Sequence, residues 1–477
     1  MKKSFVDCII SAGHENNVAL IDDSGQINYG VLKRSIGQIA RVIITQYGQK
    51  QNIIVRATPD IPFLKTIFGI MSSGNTPIPI DPDLPKAAIH NIKEKSRAIA
   101  VLNPMDCSQF DHEEPIYCPD DSIPALFMFT SGTSGFPKGV IISNDNLIYS
   151  CRVISEYLSY SKYCSTAVVL PLFYSYALIS QVYCYLFVGG KIRLFSEFRN
   201  PLKFAQVANA LKLETFCGVP STYNALVTLY RVRPFRIPSI KVLCSAGAGM
   251  DKSIFREIKK IFPNSTFFDN YGMTEAAPRI AFVREDDPRF FEPTCGRPMK
   301  GVDVKIVDPE THKELPEGKK GVLIVSGPNV TKGYLNDEQL TKDSFTRGGY
   351  LISGDIAYKK RDYIYICGRH DDIFCVGGEK VAPLEIERVL NMNPAIEMSA
   401  VAPLPDNQRG NVSVAFLKLK CSISQKEIIN QLKGELSMTK IPQRFYEVNS
   451  FPTTSNGKMQ RKKLTISNSA YIIKEIK

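Results

Sequence analysis

Between about residue 50 and residue 270, short apolar runs alternate with helical patterns, and this alternation constrains the fold more than any other feature of the chain. Asn52-Ile53-Ile54-Val55, Ala98-Ile99-Ala100-Val101-Leu102, Ala167-Val168-Val169-Leu170 and Lys241-Val242-Leu243-Cys244 have strand length and strand-like composition. Between them, Pro201 to Leu211 and Asp251 to Phe262 repeat at helical spacing. Strands separated by helices are joined by crossovers, so βαβ units and mainly parallel sheets are expected. A chain of 477 residues exceeds one ordinary core, which implies two or three domains. After about residue 295 the character changes: Val302 to Val307, Gly321 to Val325 and Tyr363 to Ile366 are short β-type runs separated by turns, a smaller β-rich subdomain. A third region begins near Asp371, with a helix over Pro383 to Leu390, a strand over Val412 to Leu419 and a helix over Ser424 to Leu436. No low-complexity linker precedes it, so a hinge near residue 370 is expected, and no internal repeat is present.

The run Ala125-Leu126-Phe127-Met128-Phe129 reads as a buried strand and leads directly into Thr130-Ser131-Gly132-Thr133-Ser134-Gly135-Phe136-Pro137-Lys138-Gly139. Glycines let successive backbone N–H groups converge on one point, and the hydroxyls add donors, so the segment is suited to a polyphosphate. Taken alone, a loop of Ser, Thr and Gly is more often an ordinary surface turn, but the spacing here is more specific than that. It is not the Walker loop, which has four residues between its first glycine and Gly-Lys-Ser/Thr and opens a helix at once. Here Pro137 and Gly139 interrupt any helix, and Val140-Ile141-Ile142 is strand-like. Asn144 is the expected N-cap of the helix that follows.

This loop resembles the signature of the adenylate-forming enzymes, which include acyl-CoA synthetases, aryl-acid ligases, adenylation domains of peptide synthetases and luciferases. Further segments agree in order. Ser245-Ala246-Gly247-Ala248-Gly249 resembles the family's small-residue stretch beside adenine and substrate. Asp269-Asn270-Tyr271-Gly272-Met273-Thr274-Glu275 resembles its Tyr-Gly-x-Thr-Glu motif, and Gly327 to Leu335 a structural motif. Ser353-Gly354-Asp355 resembles Thr-Gly-Asp, with serine for threonine; Gly368-Arg369-His370-Asp371-Asp372 and Pro452 to Lys458 complete the set. The likeness spans residues 127 to 458.

The resemblance implies an α/β fold: a large N-terminal domain over 1–370, with two doubly wound sheets and a β-rich, barrel-like subdomain at about 295–370, and a small mobile α+β domain over 371–477. It implies nucleotide contacts from Thr130, Ser131, Gly132, Thr133, Ser134, Gly135, Lys138, Gly247, Ala248, Asp269, Asn270, Tyr271, Asp355 and Arg369. Within that set Tyr271 lies against adenine and Asp355 accepts from the ribose hydroxyls. Thr274 reaches the α-phosphate, and Glu275 holds Mg²⁺, for which a carboxylate is a suitable hard ligand. Lys458 brings a compact positive charge to the α-phosphate, where a carboxylate attacks ATP and expels pyrophosphate. Asp371 is the hinge about which the C-terminal domain turns before a thiol arrives near Gly377-Gly378. With Glu275, Thr274 and Lys458 are the catalytic expectations.

Pro171-Leu172-Phe173-Tyr174-Ser175-Tyr176-Ala177-Leu178 resembles the motif lining the family's acid pocket, with Tyr174 in place of the usual histidine. Enzymes of this family that activate α-amino acids generally carry an aspartate where Ser175 stands. An ammonium without a countercharge is expensive to bury, so an aryl, fatty or other small acyl acid is expected. Tyr174, Ser175, Tyr176, Gly247 and Gly272 border that pocket by resemblance, and Arg279 is read as a surface or structural arginine, with contact to a polar substrate tail as the alternative. The acyl acceptor is either CoA or the phosphopantetheine of an acyl or aryl carrier protein; a non-catalytic nucleotide-binding homologue is the third reading.

The composition fits this class. Lys plus Arg exceed Asp plus Glu by 59 − 47 = 12, with the densest basic cluster at Arg461-Lys462-Lys463, but no basic module interleaved with aromatics accompanies the charge, so nucleic-acid binding is not expected. The balance suits a nucleotide-handling enzyme and an acidic protein partner. The 12 cysteines are scattered without a Cys-x-x-Cys pair and only 5 histidines occur, so reduced thiols in a cytoplasmic protein are expected and a metal cage is not. No run approaches a membrane span, and Asp7 interrupts the only stretch resembling a leader.

Overall fold

The computed structural model describes residues 4–105, 123–131, 137–162, 164–196, 198, 200–250, 252–376, 379–406, 410–436, 438–453, 459–466 and 471–477. The chain forms two compact units, residues 1–304 with 325–352, and residues 305–324 with 353–477.

In the first unit, the largest sheet among the described residues has nine strands. Thr266–Tyr271, Val242–Ser245, Thr215–Gly218, Ser165–Val168, Lys191–Leu194 and Val18–Ile21 lie side by side in parallel. Ala281–Arg284 and Arg297–Pro298 extend one edge antiparallel and Gln26–Asn28 the other. The helices Pro201–Ala210, Pro220–Val232 and Phe255–Ile261 connect these strands. They bury Phe204, Tyr223, Ile258 and Ile261 with the strand residues Phe216 and Phe267 in one core. Each of these helices contributes only an apolar face, as a crossover packed on a sheet must. A second sheet is fully parallel, in the order Thr76–Ile80, Asn52–Arg56, Ala100–Leu102. The hairpin Leu126–Ser131 with Pro137–Ile142 packs Phe127 into the core of this sheet, against Ile54, Ile78 and Ile80. The expected α/β architecture with two sheets is therefore present.

The apolar run at 125–129 is the strand predicted for it: Ala125, Leu126, Phe127 and Met128 are buried. The helix after the hairpin, Asn144–Tyr157, is capped one residue earlier than expected. The Ser143 hydroxyl accepts from Asn146 N at 3.1 Å, and Asn146 Oδ1 accepts from Ser143 N at 3.0 Å, a reciprocal capping box. Asn144 instead accepts the main-chain N–H of Phe5 at 3.1 Å, so its amide anchors the first helix, Phe5–Ala12.

In the second unit, the long strands Ile396–Asp406 and Gly410–Leu419 pair antiparallel, and Arg444–Val448 and Ile472–Glu475 complete a four-stranded sheet. The helices Pro383–Asn391 and Gln425–Glu435 pack Ile386, Leu390, Ile428 and Leu432 against Val401, Leu417 and Phe445. This is the small α+β arrangement anticipated. A second four-stranded sheet, Asp303–Val307, Gly321–Ser326, Leu351–Lys360 and Tyr363–Arg369 in chain order, lies mainly in this unit.

Candidate active site

Parallel strands present their carboxyl ends at one edge, and ligands of such sheets collect there. Thr215–Gly218, Val242–Ser245 and Thr266–Tyr271 end together, bringing Gly218, the exposed Gly247 and Ala248, and Tyr271 to that edge. Gly247 has φ +89°, a left-handed conformation that favours glycine. The chain turns sharply past Tyr271. A Cβ on Gly272 would lie 2.0 Å from the Pro278 carbonyl oxygen and 2.9 Å from Arg279 Cα, so only glycine permits this close return. Ile280 N then donates to Tyr271 O at 2.9 Å, and the short 3₁₀ turn Thr274–Ala276 is held in the bend.

Two parts of the predicted acid pocket meet this bend. Ser175 Oγ and Thr274 Oγ1 share a hydrogen bond of 2.9 Å, joining residues 99 apart in sequence. Tyr176 donates its hydroxyl to Cys244 O at 3.2 Å and turns its ring toward Arg279, whose guanidinium carbon is 5.2 Å from the ring centroid. Tyr174 is half-buried with its ring against Phe173, centroids 4.4 Å apart.

Arg279 is 1% exposed, which corrects the surface reading, and both of its terminal nitrogens are buried without a hydrogen-bond partner among the described residues. Its backbone is fixed, because Asn329 Nδ2 donates to Arg279 O at 2.7 Å and to Ala276 O at 3.0 Å. Asp269 is buried beside Lys252, whose Nζ stands 3.9 Å away. Burial pushes the Asp269 carboxyl up to about 6, against the opposing pull of Lys252. Asn270 uses its side chain within the fold: Nδ2 donates to Ser245 O and Phe268 O, and Oδ1 accepts from Tyr157 at 3.0 Å.

Glu275 is gripped from the segment Gly327 to Leu335. The Tyr334 hydroxyl donates to Glu275 Oε1 at 2.9 Å, and Thr331 N donates to Glu275 O at 2.8 Å. The same segment is laced to the hairpin strand Pro137–Ile142, through Leu335 N to Gly139 O at 2.8 Å and the Thr331 hydroxyl to Ile141 O. Thr130 and Lys138 face each other across that hairpin, and Lys138 Nζ lies 5.9 Å from the Tyr334 ring centroid. Ser131 ends its strand; Gly132, Thr133, Ser134 and Gly135 lie outside the described residues. The Mg²⁺ expectation fits what is present, a carboxylate oriented through one oxygen by a neutral donor.

In the second unit Asp355 and Arg369 pair across their strands, with Arg369 Nη1 3.6 Å from Asp355 Oδ1. The Ser353 hydroxyl accepts from Asp355 N at 3.0 Å and donates to Leu323 O at 2.8 Å, the linkage open to either hydroxyl residue at this position. Gly354 has φ +75° and would set a Cβ 2.9 Å from Arg369 Nη2. Asp371 sits in the 3₁₀ turn His370–Asp372, exposed. Lys458, Gly377 and Gly378 lie outside the described residues. The chain flanking Lys458 is pinned nearby: Thr453 and Met459 form a bridge, and Gln460 N donates to Pro452 O at 2.8 Å. Arg461 is not a free member of the basic cluster, since it pairs with the buried Glu387 and donates to Val401 O at 2.9 Å.

Sequence reasoning missed Tyr334 as the partner of Glu275 and Glu387 as the partner of Arg461. Tyr334 lay within a motif already singled out as structural, which was the available signal; nothing in the spacing pointed to Glu387. Among the described residues no helix is long and apolar enough to cross a membrane.

A family profile described as "AMP-binding enzyme" matches residues 10–117 and 104–335, and one described as "AMP-binding enzyme C-terminal domain" matches residues 385–458. The chain is similar to 4-coumarate–CoA ligase 2 of Nicotiana tabacum, 31% identical over 72% of this chain and 65% of that protein. It is also similar to 4-coumarate–CoA ligase of Pinus taeda, 30% identical over 78% of this chain and 70% of the other. The matched stretch thus spans about two thirds of these relatives. Among solved structures, ATP-bound MatB from Rhodopseudomonas palustris superimposes with a TM-score of 0.86 at 23% identity, over 96% of this chain and 97% of that one. The o-succinylbenzoate CoA synthetase MenE from Bacillus subtilis, in complex with its acyl-adenylate intermediate, gives 0.85 at 22%, over 97% and 98%.

Proposed function

Because the chain belongs to the AMP-binding enzyme family, we propose that it activates a carboxylic acid with ATP and transfers the acyl group to the thiol of CoA. The observation that carries this reading is the convergence of Ser175, Thr274, Tyr176 and the Glu275–Tyr334 pair at one bend beyond the strand ends. In the first step a carboxylate oxygen of the acid bonds to the α-phosphorus, and the bond from that phosphorus to pyrophosphate breaks. The barrier is the meeting of two anions, so the site has to supply positive charge and fixed donors where charge grows. Lys458 takes the α-phosphate charge, and the Thr130–Gly135 loop with Lys138 takes the departing pyrophosphate. Thr274, oriented by Ser175, donates to the α-phosphate, and Glu275 holds Mg²⁺, which screens the phosphates when bound. Tyr271, Gly247, Ala248 and the main chain of Asp269 and Asn270 border the adenine, and Asp355 with Arg369 takes the ribose. In the second step the thiol sulfur attacks the acyl carbon and AMP leaves, with Asp371 as the hinge residue between the two reactions.

CoA is preferred over a carrier protein because the curated relatives are CoA ligases by name. Ser175 leaves no carboxylate for an α-ammonium, so the acid is an aryl, fatty or other small acyl acid. ATP–pyrophosphate exchange over a panel of acids, followed by thioester formation at saturating CoA, tests the reading. Lys458→Ala should lower exchange by about 10²–10³-fold while ATP still binds. Exchange near the wild-type rate in that variant refutes the role of Lys458, and absence of exchange with every acid refutes the reading.

A further inference from the structure

Arg279 is the largest fully buried side chain among the described residues. Among the described residues neither Nη1 nor Nη2 has an acceptor. The Tyr176 ring face at 5.2 Å offers a cation–π contact, and Tyr157, Tyr160, Cys244 and Cys217 are among the other groups within electrostatic reach, the Cys217 thiol being drawn down by its bond with Cys244 and, to a lesser extent, by the guanidinium. None of these is an anion in its ordinary state at neutral pH. Asp269 is a buried acid that feels the guanidinium, but its close cation is Lys252, 3.9 Å away. A buried guanidinium without a counterion is among the costliest arrangements a core can hold, and native structures avoid it unless a ligand completes it.

The neighbours show which ligand. Tyr176, against which the guanidinium lies, directly follows Ser175, whose hydroxyl is bonded to Thr274. Thr274 is the residue proposed for the α-phosphate, so the guanidinium and the reacting end of the acid are served by consecutive residues. Asn329 and the tight return at Gly272 hold the Arg279 backbone in place, so its position does not depend on a ligand. We propose that the acid activated here is a dicarboxylic acid: one carboxylate is adenylated, and the other receives the two free edges of the Arg279 guanidinium. A planar fork meeting a carboxylate through paired N–H···O bonds is the geometry that satisfies both nitrogens at once.

This inference rests on the adenylating function proposed above, and the experiment separates the two. Exchange is measured with wild-type enzyme on a series of dicarboxylates, their monomethyl esters, and monocarboxylic acids of equal length. A diacid should exceed its own monomethyl ester by at least about thirtyfold in kcat/KM, because the ester leaves a buried charge unpaired. In Arg279→Met, which keeps length and apolarity, the order should reverse while exchange with the best ester or monocarboxylic acid persists. Arg279→Lys should keep a reduced diacid preference. Should the wild type use monocarboxylic acids as well as or better than every diacid, the inference falls and the adenylating function stands. Should no acid support exchange, both fall. The wild-type series decides the matter even where a variant is not folded.

Discussion

Tyr334→Phe removes one oxygen from the molecule and isolates one link of the site. The hydroxyl of Tyr334 is the donor to Glu275 Oε1 at 2.9 Å, while its ring also carries the Lys138 contact, and its backbone the bridge to Val140. Phenylalanine keeps ring and backbone, so folding should change by less than about 2 kcal/mol. A hydrogen bond to a charged group is worth about 1.5–3 kcal/mol, which corresponds to roughly 10–150-fold in an equilibrium. Glu275 is half-buried, so water replaces part of the lost donor and the lower end applies. Removing the partner of a metal-binding group typically costs about 10–100-fold in metal affinity, which agrees. The expected result is therefore about a tenfold rise in the Mg²⁺ concentration that half-saturates ATP–pyrophosphate exchange, with thermal stability nearly unchanged. A midpoint within twofold of wild type in a normally folded variant would refute the link from Tyr334 through Glu275 to the cation.

Three further outcomes are expected. Asp269 titrates near 6 in the fold against 3.8 as a free side chain, so between those values the folded state binds more protons, and this residue's contribution to stability declines as pH rises through that window. Melting curves of wild type and Asp269→Asn should accordingly diverge from pH 4 to pH 7 in favour of the variant, by up to about 3 kcal/mol; a difference independent of pH contradicts the raised carboxyl. Glu387→Ala leaves Arg461 without its buried partner and the Val401 N–H without its acceptor, and should destabilise the second unit by about 3–5 kcal/mol, seen as an earlier unfolding transition in denaturant. Gly272→Ala forces a methyl against the Pro278 carbonyl oxygen, so it should cost about 1–3 kcal/mol in a thermal melt and impair exchange through the displaced bend; unchanged melting and exchange would show that the bend yields freely.

The parts of the fold that were legible are those encoded by near neighbours. The strand at 125–129 and the helix predicted over 424–436, found as Gln425–Glu435 with Ser424 as its cap, follow from composition and capping chemistry within a dozen positions. The cap at Asn144 failed for a long-range reason. Ser143 and Asn144 can both cap, and the choice was made by the N–H of Phe5, 139 residues away, which takes the asparagine.

By itself the sequence determined the alternation that builds parallel sheets, and the residue types able to bind a nucleotide, because backbone geometry and motif spacing are local properties. Only the tertiary structure decided which charges are answered. Tyr334 meets Glu275 across 59 positions, Arg461 meets Glu387 across 74, and the two terminal nitrogens of Arg279 meet no acceptor among the described residues. Burial and electrostatic partnership depend on the whole packed arrangement around a side chain, and a linear pattern carries no record of what ends up facing a given arginine.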